Sequence, residues 1–319
     1  MLNKLVAAAM TVLLTSMVAS RPLAGTFTEV TEFGSNPGNL RMFHYVPDNL
    51  PEGRPLVVAL HGCVQGASDY DDETGWTKYA EEFKFALLLP EQKRWNHWNR
   101  CFNWYKAGDI SRDQGEALSI KQMMDKMRID HKTNPGRTYV SGLSAGGAMA
   151  VALMATYPEL FSGGASIAGL PYGCAEGLWE AWFTCMRRGK DLRPSDWGAR
   201  VGAATNHAGP WPRLSIWQGG ADTTVAPMNA SELVEQWTEV HGIDRMSPVH
   251  DTVAGHPHTA FQDGTGRVVV EVYTIRGMDH GTPVKPGSGK EHCGHTAPYI
   301  IDAQICSSFY ISKFWGLVQ

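Results

Sequence analysis

The residues Gly142-Leu143-Ser144-Ala145-Gly146 have the types and spacing that most directly suggest chemistry. A serine with glycines two residues before and two after fits G-x-S-x-G, a turn so sharp that its flanking positions tolerate almost no side chain. Thr138-Tyr139-Val140 before it reads as a short apolar strand, and Ala145-Gly146-Gly147-Ala148 after it as the start of a helix. Such a helix directs backbone N–H groups at the place where an oxyanion forms. The pentapeptide alone also occurs in inert glycine-rich turns. The strand before it and the helix after it make Ser144 a candidate nucleophile.

An unassisted serine needs a base, and the base needs an orienting acid. Where a serine stands on a strand-to-helix turn, the acid and then the base follow on later strand ends. Asp222 follows the apolar run 213–218 after a short glycine turn, and His280 follows the strand pattern 267–275 between Gly277 and Gly281. His280 is the expected base and Asp222 its acid. Asp279 stands next to His280, but a neighbouring residue rarely reaches its neighbour's Nδ1, so it reads as a solvated loop aspartate. His241, His250, His256 and His258 lie in helix-end or loop contexts and read as surface histidines. His61-Gly62-Cys63 ends another apolar strand, where the Cys63 backbone N–H would join that of Ala145 as the second oxyanion donor.

The first residues look like an export leader. One positive charge, at Lys4, precedes an apolar run from Leu5 to Val18, and Val18-Ala19-Ser20 offers small residues for cleavage. Leu23-Ala24 allows a later cut. The run is too short to span a bilayer comfortably, and no other segment is long and apolar enough to do so. An exported chain with six cysteines suits disulfides. Cys63 with Cys101 is the preferred bridge, because it would pin an aromatic-rich loop beside the oxyanion loop. Cys174 with Cys185 and Cys293 with Cys306 are close in sequence and complete the set. A Cys63 thiol nucleophile suits an exported chain badly, as does a metal held by His292-Cys293-Gly294-His295. The acidic run Asp69 to Glu73 lacks calcium-loop spacing. No metal or organic cofactor is expected.

Several elements must position these residues. Residues 25–33 and 39–46 alternate apolar and polar, as half-buried antiparallel strands do. Residues 56–60 and 85–89 are continuous apolar runs, the mark of strands buried on both faces, and Pro90 closes the second. Helical patterns cover 76–83, 113–130 (Leu118, Met123, Met124 and Met127 inward), 229–241 (Leu233, Val234 and Trp237 inward) and 307–317. Strands alternating with helices imply an α/β fold: a mainly parallel sheet with helices on both faces and an antiparallel edge at the opening strands. Residues 171–212 break the rhythm with four tryptophans, two cysteines and no clear strand, and read as a cap-like insertion over the site. The 319 residues, 43% hydrophobic and 19% charged, suffice for one large core. Residues 25–319 are expected to form a single catalytic domain, as a monomer. The net charge of -4 gives no reason to expect nucleic acid or an anionic membrane as partner.

Five motifs then recur together. His61-Gly62-Cys63-Val64-Gln65, Asn99-Arg100-Cys101-Phe102-Asn103-Trp104-Tyr105, Gly142 to Met149, Trp217 to Val225 and Met278-Asp279-His280-Gly281-Thr282-Pro283 resemble the poly(3-hydroxybutyrate) depolymerase family of esterases. The tail, Ile305-Cys306-Ser307-Ser308 and Phe314-Trp315-Gly316-Leu317, resembles that family too. The resemblance implies an α/β-hydrolase with nucleophile Ser144, acid Asp222, base His280 and oxyanion donors Cys63 and Ala145. It puts Trp104 beside the acyl chain. Gln65 and Tyr105 are further expected substrate-binding residues. A buried core aromatic is the other reading of Trp104. The implied activity is a secreted serine esterase acting on the polyester or its oligomers. The alternative is a feruloyl or acetylxylan esterase using the same triad. Many extracellular depolymerases carry a linker and a separate polymer-binding domain. This chain is expected to stop at the catalytic domain and to dock on polymer through exposed apolar residues around the site.

Overall fold

The computed structural model describes residues 25–318, so the leader expected over residues 1–20 lies outside the described residues. A ten-stranded sheet forms the frame. In chain order its strands are β1 (Thr26–Val30), β2 (Arg41–Val46), β3 (Leu56–Leu60), β4 (Ala86–Glu91), β5 (Thr138–Leu143), β6 (Gly163–Ile167), β7 (Arg213–Gly219), β8 (Val249–Val253), β9 (His256–Gln262) and β10 (Val268–Ile275). Their order across the sheet is β1-β2-β4-β3-β5-β6-β7-β10-β9-β8. From β4 to β10 each neighbouring pair is parallel, and the outer pairs on both sides are antiparallel.

The period of two along β3 explains the layering. Leu56, Val58 and Leu60 pack on one face with Met149, Leu153, Leu233 and Trp237, from the helices Ala145–Thr156 and Met228–His241. Val57 and Ala59 face the other way, onto Trp76, Tyr79 and Phe309 of the helices Trp76–Phe83 and Ser307–Phe314. A strand covered on both faces has no polar side, which is why 56–60 is apolar throughout. The helix Gly115–His131 lies on the first face. It buries Ala117, Ile120, Met123, Met124 and Met127, while Leu118 is only half-buried.

Three features differ from expectation. Pro90 does not close its strand: β4 continues to Glu91, with Pro90 opposite Met42. Pairing of β4 with β3 stops at Leu88, so the missing proline N–H removes no bond on that side. Residues 249–262, given no element from sequence, form the β8–β9 hairpin at the far edge. His256, expected at the surface, is buried there, and its Nε2 lies 3.0 Å from the Ala303 carbonyl. As their sequence suggests, residues 171–212 contain no strand. They hold helical turns at Leu178–Glu180, Ala181–Met186 and Pro194–Gly202. Disulfides join Cys63–Cys101, Cys174–Cys185 and Cys293–Cys306. Among the described residues, no helix is long and apolar enough to cross a membrane.

Candidate active site

Ser144 stands between β5 and the helix Ala145–Thr156 with φ 56° and ψ -117°, a conformation non-glycine residues rarely adopt. Contacts on either side of it account for the two glycines. A Cβ on Gly142 would lie 2.4 Å from the Gly146 carbonyl carbon and oxygen, and one on Gly146 would lie 2.4 Å from the Leu60 carbonyl oxygen. The helix therefore starts in backbone contact with the end of β3, which brings the Ala145 N–H close to the loop after that strand. The Ser144 N–H is spent on the Ile167 carbonyl at 2.8 Å. Among the described residues, neither the Ala145 nor the Cys63 N–H donates a hydrogen bond.

The loop after β3 is held from several sides. His61 is fully buried, its Nε2 accepts the Gln92 N–H at 3.0 Å, and its Nδ1 therefore donates to the Gly62 carbonyl at 2.7 Å. Burial pushes its pKa down to about 4, so it acts as a neutral brace. Gln65 was expected at the substrate but does not line the cleft. Its Oε1 accepts the Gly62 N–H at 2.9 Å and its Nε2 donates to the Pro298 carbonyl at 3.2 Å. The Cys63–Cys101 bridge ties the same loop to the aromatic-rich loop. That loop is fastened from below by Glu116, whose carboxyl accepts from the Asn103 N–H at 2.8 Å, the Asn103 side-chain amide at 2.7 Å and Gln92 Nε2. Gln92 also donates to the Cys101 carbonyl at 3.1 Å. Glu116 is fully buried, and burial followed by the nearby Asp109 charge pushes its pKa up to about 8 against the pull of those donors.

His280 and Asp222 meet at the ends of β10 and β7. His280 Nδ1 lies 2.8 Å from Asp222 Oδ2, with both residues buried. Asp222 Oδ2 also accepts Gln218 Nε2 at 3.0 Å, and Oδ1 accepts the Thr224 and Val225 N–H groups at 2.8 Å each. With donors around the carboxylate, Nδ1 of His280 is the protonated nitrogen and Nε2 is left to take a proton. Asp279 is exposed, as expected, but it is not idle. It accepts the His280 N–H at 2.8 Å, the Thr223 N–H at 2.9 Å and the Thr223 hydroxyl at 3.1 Å, tying the loop after β7 to the loop after β10. Those backbone donors hold its carboxyl below the usual range.

One cleft of about 160 Å³ collects Cys63, Trp104, Tyr105, Ser144, Ala145 and His280. Asp222 stands behind His280 rather than on the wall. Trp104 is 6% exposed, so it is both packed and at the cleft surface. Leu170, Leu178, Ala181, Trp182 and Met186 make an apolar wall, the last four from the segment 171–212. His97, Thr224 and Tyr299 also line the cleft. Sequence reasoning passed over these three, because each lies in a loop without periodicity. The His292–His295 cluster is taken up otherwise: Cys293 is in a disulfide and His292 Nδ1 lies 2.9 Å from the Pro286 carbonyl.

Comparison with known proteins bears on this geometry. The chain is 50% identical over 292 residues to the poly(3-hydroxyalkanoate) depolymerase C of Paucimonas lemoignei, covering 91% of this chain and 70% of that protein. It is 33% identical over 258 residues to a feruloyl esterase B of Thermothelomyces thermophilus, covering 78% of this chain and 87% of that one. A solved structure, an acetyl xylan esterase from Aspergillus awamori, matches with a TM-score of 0.77 at 23% identity over 92% of this chain and 100% of that one. This likeness establishes the α/β-hydrolase fold. The family described as Esterase PHB depolymerase matches residues 41–253, a span that holds Cys63, Ser144 and Asp222. The chain belongs to this PHB depolymerase family of esterases.

Proposed function

We propose that this chain is an exported serine esterase that hydrolyses poly(3-hydroxybutyrate) or its oligomers. Ser144 Oγ attacks the ester carbonyl carbon while its proton passes to His280 Nε2. Negative charge gathers on the carbonyl oxygen, where the Cys63 and Ala145 N–H groups stabilise it. The intermediate collapses, the ester C–O bond breaks, and the departing alkoxide oxygen takes the proton from His280 and leaves as a hydroxyl. Water then attacks the acyl-Ser144 ester, giving its proton to His280, and releases the acid with Ser144 restored. Asp222 holds the imidazole and stabilises its charged form. Serine, histidine and fixed dipoles supply the whole chemistry, so the mechanism invokes no cofactor.

The observation that carries this reading is one apolar cleft lined by Ser144, His280, Cys63 and Ala145, in a chain half identical to a polyester depolymerase over most of its length. Residues 25–319 act as one catalytic unit, with 171–212 as a cap, and the three disulfides suit an oxidising, extracytoplasmic compartment. A carbohydrate esterase is the second reading. It is favoured by the feruloyl esterase relative and by exposed Trp179 and Phe183, whose ring centroids lie 4.2 Å apart on the segment that walls the cleft. Phenolic or sugar rings stack on such surfaces.

Product release from amorphous poly(3-hydroxybutyrate), beside methyl ferulate and acetylated xylan and with Ser144→Ala as control, separates the two readings. Serine-dependent release of hydroxybutyrate oligomers is the expected result. Fast turnover of ferulate or xylan with the polymer intact would reassign the substrate and leave the triad standing.

A further inference from the structure

His97 lies in the aromatic-rich loop and lines the same cleft as Ser144 and Trp104, yet the hydrolytic steps do not use it. The residue is 9% exposed. Nδ1 lies 3.3 Å from both the Asn99 and the Cys101 backbone nitrogens, which are donors. An imidazole nitrogen facing two N–H groups must be the acceptor, so the ring proton of neutral His97 sits on Nε2. Burial, and after it the nearby Lys106 charge, keeps the His97 pKa below its ordinary value and favours that neutral form. Nε2 has no hydrogen-bond partner among the described residues, and it is not sealed away from solvent. An unpartnered polar N–H on a residue that lines a mostly apolar cleft is the kind of group that fixes a ligand's orientation.

From this geometry we infer that His97 is a substrate-binding residue whose Nε2–H donates to an ester carbonyl of a polyester unit next to the one being cleaved. The inference rests on the polyester reading above. A chain of hydroxyacyl units carries carbonyl acceptors at every step and a donor only at its hydroxyl end. A fixed donor therefore complements it, and a single-ester substrate has no second carbonyl to offer. His97 is then a determinant of the preference for oligomers over simple esters.

The test uses two amides that mimic opposite halves of the ring. In His97→Asn the side-chain oxygen can stand where Nδ1 accepts the Asn99 and Cys101 N–H groups, but nothing reaches the Nε2 position. In His97→Gln the amide nitrogen reaches that position. Kinetics are measured on the 3-hydroxybutyrate trimer and on p-nitrophenyl acetate. For His97→Asn, kcat/KM on the trimer should fall about fivefold further than on the acetate, mainly through KM, as expected for one neutral hydrogen bond. His97→Gln should recover most of that difference. Equal losses on both substrates in His97→Asn would make the ring a loop support only and overturn the inference. So would a His97→Gln variant as impaired on the trimer as His97→Asn. A wild-type enzyme that turns over the acetate but leaves the trimer intact would instead sink the polyester reading, and this inference with it.

Discussion

At the scale of single residues, the proposed chemistry rests on a few side chains held by many others. Ser144→Ala or His280→Ala should lower kcat on p-nitrophenyl butyrate by about 10⁴-fold or more, because triad members act as a unit. A loss below about tenfold would mean the nucleophile or base is elsewhere. Glu116 makes a different prediction. Its folded pKa, about 8, lies above its ordinary value of 4.5. The folded protein therefore keeps a proton that the unfolded chain releases. Stability from this group is fully present below about pH 4.5 and is lost as pH rises towards 8, at up to about 1.4 kcal/mol per pH unit. Glu116→Gln cannot titrate. Its Tm relative to wild type should climb between pH 5 and 8, as followed by thermal melts across that range. A constant difference would show that Glu116 is ionised in the fold. Little in the sequence marks Glu116 out: it is one acid in a helix with an exposed face, and only its depth beneath Asn103 and Gln92 makes it unusual.

At the scale of elements, the site depends on loops that are tied to one another. Asp279 is the clearest case, since one exposed carboxylate bridges the loop after β7 to the loop after β10. Asp279→Ala should lower kcat about tenfold with KM little changed, and Asp279→Asn, which keeps an acceptor for both N–H groups, should restore most of it. If Asn and Ala were equally impaired, charge rather than loop geometry would be the cause. The elbow has no such tolerance. A methyl group on Gly146 would meet the Leu60 and His61 carbonyl oxygens at 2.4 and 2.5 Å, so Gly146→Ala should cost both activity and several degrees of Tm. The elbow, the acid loop and the base loop are legible in the sequence because glycines punctuate strand ends there. Gln65 is not, because whether a glutamine faces a ligand or the loop beneath it depends on contacts with Gly62 and Pro298, far apart in the chain.

At the scale of the whole molecule, the parallel centre of the sheet is written plainly in its apolar runs, and the edges are not. The β8–β9 hairpin carries His250, Asp251, His256 and His258 among its apolar residues and is exposed along much of one strand. An edge strand needs no continuous apolar face, so its sequence resembles a loop. Cross-links complete the frame. Replacing Cys63 and Cys101 together by serine should cost roughly 3–4 kcal/mol through the freed unfolded chain, read as a lower Tm. The activity loss should exceed what that Tm explains, because the same bond joins the loop after β3, the proposed oxyanion loop, to the loop of Trp104. An unchanged kcat at a temperature where the variant stays folded would show that the loops hold their places without it.

The backbone angle at Ser144 also bears on how this protein tolerates mutation. The position suits a glycine, and under the proposed mechanism a side chain stands there against local conformational preference because its hydroxyl is the nucleophile. Ser144→Gly should therefore be dead and yet melt above Ser144→Ala, which keeps the strain without the hydroxyl. A lineage released from the need for hydrolysis would find a stabilising substitution at the residue it had most needed to keep. A glycine at this position in an otherwise intact copy of the chain would then be the mark of a scaffold that has given up catalysis.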